Sequence, residues 1–457
     1  MNKHFTEQIV IFLSVSKWII ISAIVGIIIG ATVTFFLQTL AMAENSRGSI
    51  PFHYYYLLPL TLPLSMLIVK TFAPTAEGHG TEKVIDAVHK KNGDIDASVI
   101  PVKLLATVIT IFSGGSVGKE GPGAQIGAGT ASIVSKIFKF NGNDRKKLAI
   151  CGISAGFATV FGTPIAGAIF GVEVLIIGVI FYDVLLPSFI AGFAAFTTAQ
   201  FLGVDYTYFN VRLYQSVNLD LILIFQVVLS GLFFGVISDI MITGLSWTEK
   251  VIKKIRLNPY LKAFLGGIVI ILLVSIFGER YLGLGLDTIK NALNPVYLSS
   301  DLPWYEFLMK IIFTSITLGS GGSGGIITPV FYVGATSGHL FGSIMNGHLS
   351  LFAALGFASV LAGVTNAPIA ATIMSVELFG IEIAHYVAIS SVISFLITGH
   401  RSIFPSQILA MKKAGSLNVN FGKNIEDVKV GLDDKRMLHL IKMFQRKQKK
   451  DKDIKKF

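Results

Sequence analysis

A chain of 457 residues that is 52% hydrophobic and only 14% charged, with a mean hydropathy of +0.68, is not an ordinary soluble globular protein, in which roughly 25% of residues are charged. Such a deficit of charge predicts an all-α polytopic membrane protein, because lipid makes charge expensive and forces the backbone to satisfy its own hydrogen bonds. The single cysteine, Cys151, excludes an internal disulfide, and no Cys/His cluster has metal-ligand spacing, so neither metal nor cofactor is expected.

Taken in chain order, Trp18 to Ala43 carries no ionisable group and is long enough to cross a hydrocarbon core of about 30 Å. It is too long for a secretory h-region and no small-residue cleavage site follows, so it reads as a retained first span. Ser113 to Gly121 contains four glycines, after which Pro122 leads into an apolar helix from Gln125 to Phe138. A basic loop follows (Lys136, Lys139, Arg145, Lys146, Lys147). Leu219 to Leu245 is interrupted only by Asp220 and Asp239, a second basic loop holds Lys250, Lys253, Lys254 and Arg256, and Ala263 to Phe277 is apolar or small throughout. Gly319 to Gly325 contains five glycines, and Pro329 leads into a helix from Phe331 to Ile344.

Residues 411–457 hold 14 Lys/Arg against 6 Asp/Glu and so carry eight of the eleven net positive charges. Their basic run, Gln445 to Lys452, has no interleaved aromatics. It reads as a solvated cytoplasmic tail that obeys the positive-inside rule, not as a nucleic-acid binder. The same rule puts both basic loops and both termini in the cytoplasm, with a transmembrane domain over 1–410 in the inner (plasma) membrane. A tail of that length is too short for an appended domain of ordinary size.

The chain also repeats itself. At an offset of 207, Lys103, Thr107, Thr110 and Pro122 match Lys310, Thr314, Thr317 and Pro329, and Ser113-Gly114-Gly115-Ser116 matches Ser320-Gly321-Gly322-Ser323. At an offset of 204, Pro164-Ile165-Ala166 and Val172-Glu173 match Pro368-Ile369-Ala370 and Val376-Glu377. Two halves, about 18–200 and 219–400, fit a transporter built from inverted repeats, with short broken helices meeting at a midplane site. Non-helical backbone at membrane depth is tolerated where it is buried in protein or lines a cavity. Tight helix packing accounts for isolated glycines such as Gly26 and Gly30, but not for two clusters each ending in a helix-starting proline.

Proline suits the first turn of a helix, where its missing N–H would have been unpaired. Free N–H groups and the positive end of the helix dipole then face each glycine-rich break, which makes an anion site without a full positive charge. Partial charges hold an anion weakly enough to release it. Glu120, an ionisable residue at membrane depth, competes with that anion, and protonation removes the competitor.

Gly118-Lys119-Glu120-Gly121-Pro122 matches the motif of the CLC family of chloride channels and chloride/proton antiporters, and Gly324-Gly325-Ile326-Ile327-Thr328-Pro329 resembles the segment that lends that family's backbone amides to the central ion. Thr163-Pro164 to Glu173 and Ser402-Ile403-Phe404-Pro405 resemble two further family segments. The resemblance runs from about Trp18 to Ala410, without the appended domains some members carry. It implies a homodimer with one pore per subunit, moving chloride or other small anions and, in exchangers, protons. It makes Glu120 the gate and assigns anion contacts to His79, Gly80, Gly118, Lys119, Gly121, Gly325, Ile326, Ile327 and Phe404.

Departures from the family pattern matter as much. His79 stands where the family commonly has a serine, and either supplies an N–H donor instead or turns away. Phe404 replaces the tyrosine that closes the site from inside, and Ile327 replaces a phenylalanine. Val174, beside Glu173, stands where exchangers often carry an internal proton acceptor, so the chain is expected to be a channel or loosely coupled carrier. Three other readings compete with this one. A CLC-type fluoride exporter fits the altered central residues. An intramembrane hydrolase using Glu120, His79 or Ser116 lacks a nucleophile elbow or a His-Glu-x-x-His pattern, and a phosphate-binding loop at Gly118-Lys119 lacks its upstream glycine and its Ser/Thr.

Overall fold

A computed structural model describes residues 3–206, 221–294 and 302–433. Sixteen α-helices lie in them, in two sets of eight. The first set is α1 (Lys3–Asn45), α2 (Leu58–Phe72), α3 (Thr81–Lys90), α4 (Val99–Phe112), α5 (Glu120–Ile137), α6 (Gly142–Phe161), α7 (Pro164–Glu173) and α8 (Tyr182–Phe201). The second is α9 (Leu221–Lys254), α10 (Pro259–Phe277), α11 (Leu286–Leu293), α12 (Glu306–Gly319), α13 (Ile327–Ile344), α14 (Leu349–Thr365), α15 (Pro368–Phe379) and α16 (Ala384–Ile397). The duplicated sequence takes duplicated form: α4 and α12 are both 14 residues, α5 and α13 both 18, each pair displaced by the same 207 positions.

Five helical stretches, those containing α1, α2, α8, α9 and α10, are long and apolar enough to cross a membrane. Of the others, α3, α4, α7, α11, α12, α15 and α16 are short, at 8 to 14 residues. Along α1, Val25, Ile29, Val33 and Phe36 are buried while Ile20, Ile24, Ile27 and Phe35 are exposed, so both faces are apolar and the outer one suits lipid. Its Gly26 and Gly30 let α8 approach: a Cβ on them would lie 2.5 Å from the Ala191 carbonyl oxygen and 2.6 Å from that of Ala195. These glycines are the small-residue helix contact the sequence suggests.

The repeated lysines do the same work inside each half. Lys103 Nζ, fully buried, donates to the carbonyls of Ala76 (3.2 Å) and Gly78 (2.6 Å). Its counterpart Lys310 donates to Tyr281 (3.0 Å) and Gly283 (2.9 Å). Each lysine thereby satisfies buried carbonyls in the turn that precedes a short helix, α3 or α11.

Four ion pairs gather at the end of the molecule where α1, the α3–α4 and α5–α6 loops and the start of α8 meet: Lys17 with Asp144 (3.2 Å), Lys136 with Asp94 (2.5 Å), Arg145 with Asp94 (3.7 Å) and Lys147 with Asp183 (3.0 Å). The C-terminal segment packs there too. Ile408–Leu409 pairs in parallel with Ile176–Ile177, and Leu417–Val419 pairs antiparallel with Val430–Leu432. Lys413 Nζ donates to Asn366 Oδ1 and to the Phe395 carbonyl, both at 2.6 Å. The stretch that reads as a solvated tail from residue 411 therefore begins folded against the body, because its apolar Met411 and Val419 and the nearby Leu409 and Ile425 find a small core with Phe395. The basic run Gln445 to Lys452 lies outside the described residues, as do Leu219 and Asp220.

Candidate functional site at the crossing of two glycine-rich loops

The loops before α5 and α13 cross and bond to each other. Gly118 N–H donates to the Gly325 carbonyl and Gly325 N–H to the Gly118 carbonyl, both at 2.7 Å. Around this bridge the repeated hydroxyls stitch one half to the other. Thr317 Oγ1 accepts from Ser116 N–H (3.2 Å) and Thr110 Oγ1 from Ser323 N–H (3.1 Å). Ser116 Oγ meets Thr314 Oγ1 at 3.0 Å, and Thr107 Oγ1 meets Ser323 Oγ at 3.3 Å. Serine and threonine recur in both clusters because a non-helical backbone buried here needs these partners. Ser116 is thus committed to Thr314 and offers no free nucleophile.

From the bridge α5 and α13 run apart, each beginning without a side-chain cap, at Lys119 and Ile326. Glu120, Gly121, Ile326 and Ile327 are all buried. The first N–H groups of both helices therefore converge on one place. Glu120 fills part of it. Its carboxylate accepts from Thr328 N–H at 3.1 Å and from Thr328 Oγ1 at 2.5 Å, and the side chain is 1% exposed. The glutamate of one half thus sits on the helix terminus of the other. Sequence alone gives Thr328 no role, although it lies inside the Gly324–Pro329 segment; its one signal there is a hydroxyl in the first turn of a helix.

His79 and Gly80 complete the junction. Gly80 caps α3 with φ 87°, where only glycine is relaxed. A Cβ on Gly80 would lie 2.5 Å from the Gly121 carbonyl carbon, and one on Gly325 would lie 2.7 Å from Gly121 N. His79 Nδ1 is buried and has no hydrogen-bond partner among the described residues. Gly80, Gly118, Gly121 and Gly325 are therefore in mutual reach, while Lys119 is only half-buried.

A family model described as voltage gated chloride channel matches residues 61–399. The chain belongs to this family, the CLC proteins. It is 32% identical over 414 residues to a "Chloride/fluoride channel protein" of Pseudomonas syringae pv. tomato, covering 89% of this chain and 90% of that one. It is 29% identical over 299 residues to the "Voltage-gated ClC-type chloride channel ClcB" of Shigella flexneri, covering 63% and 70%. Among solved structures, a CLC-type fluoride/proton antiporter superposes with a TM-score of 0.81 at 28% identity, covering 87% of this chain and 99% of that one. A slow cyanobacterial Cl−/H+ antiporter superposes with a TM-score of 0.71 at 19% identity, covering 83% and 94%, which shows the shared fold.

In this CLC chain the remaining candidates lie on segments that meet α3, through His89 Nε2 at the Leu175 carbonyl (3.0 Å) and Glu82 at Ser406. Phe404 is buried in a segment moored by Ile403 N–H to the Val364 carbonyl (3.0 Å) and by Phe404 N–H to Ser402 Oγ (2.9 Å). Val174 is buried, and its carbonyl accepts from Gln407 Nε2 at 2.6 Å. Glu173 is bound elsewhere. Its oxygens accept from Ile369 N–H (3.1 Å) and Ala370 N–H (2.7 Å) at the start of α15, and Glu377 repays the contact on Ile165 N–H (3.0 Å) and Ala166 N–H (2.7 Å) of α7. The matched Val-Glu pairs of the two halves are thus reciprocal helix caps, with each carboxylate at a positive helix end.

Proposed function

We propose that this CLC protein carries small anions across the membrane through the crossing of the two loops, with Glu120 as the gate. The observation that carries the reading is the buried Glu120 carboxylate on Thr328, at a junction of two helix N-termini whose own N-cap residues supply no side-chain cap. A permeant anion needs the same N–H groups, so the glutamate must leave for the ion to pass, and protonation releases it. The basic end, where paired lysines and arginines collect, is the cytoplasmic one. The working assembly is the homodimer that the family resemblance implies, one pathway per subunit, in the inner membrane. No enzymatic turnover is proposed. Purified protein in liposomes should pass anions without consuming peptide or lipid.

Chloride is the primary cargo in this reading. Fluoride is the second, supported by the absence of hydroxyls at His79 and Phe404 and by the 28% identity to a CLC-type fluoride/proton antiporter. The ratio of fluoride to chloride efflux from loaded liposomes decides between them. If the missing hydroxyls set chloride affinity, Phe404→Tyr and His79→Ser should each strengthen chloride binding, since a hydrogen bond to a charged partner contributes roughly 1.5–3 kcal/mol before the anion's lost hydration is subtracted. Calorimetry that shows unchanged or weaker binding in both variants rejects this arrangement.

Proton coupling is expected to be loose. Val174 offers no acid, and Glu173 is occupied as the cap of α15. Val174→Glu should raise the protons moved per anion in vesicles under a chloride gradient. A parent protein that already drives protons uphill at a fixed ratio would sink this expectation.

A further inference from the structure

Glu82 stands in the first turn of α3, three residues after His79. Its two carboxylate oxygens accept from Ser406 N–H at 3.1 and 3.3 Å, and the Ser406 hydroxyl donates to it as well. Ser406 is buried and follows Phe404 by two residues. The rest of that segment is tied to other elements: Ile403 to Val364, and Gln407 Nε2 to the carbonyls of Val174 and Thr365. Across to α3 it is held by Glu82. One carboxylate therefore joins the turn that carries His79 to the segment that carries Phe404.

We propose that Glu82 and Ser406 form a proton-sensitive latch that positions the Phe404 segment over the inner mouth of the pathway, closed when Glu82 is ionised and loosened when protons from that side neutralise it. The proposal rests on the reading of Phe404 as an inner-end residue. An ionised carboxylate accepts the Ser406 N–H and O–H together, and such charge-assisted bonds are strong. A neutral acid keeps one carbonyl oxygen for the Ser406 N–H, while its O–H can only donate to a Ser406 hydroxyl that has turned to accept. Both bonds lose their charge assistance, the hold on the segment weakens, and the segment is freer to move.

The surroundings favour a response near neutrality. Burial pushes Glu82 up to about 7, against the pull of the Ser406 hydrogen bonds and of Lys83, while Asp86 adds to the rise. The other charges around it are committed. Lys90 pairs with Asp86 at 2.7 Å and also feels Glu426 from the C-terminal segment. From α5 and α6, which pack on α3, Lys136 and Arg145 pair with Asp94, Lys147 pairs with Asp183, Lys146 acts on His89, and Glu120, beside Lys119, is held by Thr328. The sign follows: the latch is present above about pH 7 and is lost as the inner pH falls through it.

The test is anion conductance of the full chain in planar bilayers, with the two faces addressed separately and Glu120→Gln as background. Acidifying the face that carries the basic end from about one unit above 7 to about one unit below takes a single such group from roughly 90% to roughly 10% ionised. Conductance should rise by up to about ninefold over that step. Glu82→Gln should show the high value at both pH values, with a flat inner-pH profile. Ser406→Ala, which keeps the backbone donor, should raise the alkaline value and flatten the profile in part. If Glu82→Gln does not elute as folded protein, Ser406→Ala carries the test alone. A variant with the parent's inner-pH profile, or one that is flat at the low value, overturns the latch. An outer-pH response that survives Glu120→Gln counts against the gate instead and leaves the latch standing.

Discussion

Replacing Glu120 by glutamine is expected to make anion flux independent of outer pH and to abolish any proton movement. The wild-type carboxylate holds its place by two bonds from Thr328, in a position 1% exposed. Hydrogen bonds to a charged acceptor contribute roughly 1.5–3 kcal/mol, those between neutral groups roughly 0.5–1.5. An uncharged amide keeps the shape of the side chain but loses about 1–2 kcal/mol of its hold, and loses the proton-binding group entirely. The closed-to-open ratio should then fall by roughly 5- to 30-fold at neutral pH, since 1.4 kcal/mol is a factor of ten. Efflux of chloride from liposomes, followed with an anion electrode while a pH electrode records protons, reads both effects. A variant that retains the parent's pH profile would show that another group gates the path.

Replacing Gly325 by alanine should remove most anion flux while leaving the chain in the membrane. A Cβ at that position would lie 2.7 Å from Gly121 N and 3.2 Å from both Gly121 Cα and the Pro122 ring. Two of those three are backbone atoms at the start of α5, so relief requires moving the helix terminus itself. Overpacking of this kind costs roughly 1–3 kcal/mol. The strain falls on the bridge between Gly118 and Gly325, and opening the bridge spreads the two helix termini whose N–H groups are to meet the anion. A tenfold or greater loss of flux, with an unchanged elution profile in detergent, is the expected result. Flux within twofold of the parent would place the path away from this crossing.

Much of the architecture was legible because its causes are local. Uncharged runs such as Trp18 to Ala43 mark helices that lipid can surround, and glycine clusters followed by Pro122 and Pro329 mark where helices break and restart. The repeat was legible as well, because the same burial problem in each half calls for the same Thr, Ser and Lys at matching positions. What tertiary structure decided is which half satisfies which. Glu120 was recognisable as an ionisable residue at a helix start, yet its donor is Thr328, 208 positions away. Glu173 read as a neighbour of the proton-acceptor position, and only the approach of α15 makes it a cap for Ile369 and Ala370. Glu82 carried no motif at all; it matters because the chain returns 324 residues later with Ser406. Composition and spacing report what a residue needs, a donor, a small neighbour or a lipid face. A partner supplied from the opposite repeat leaves no periodicity in the segment that receives it, so it appears only when the two halves are folded together.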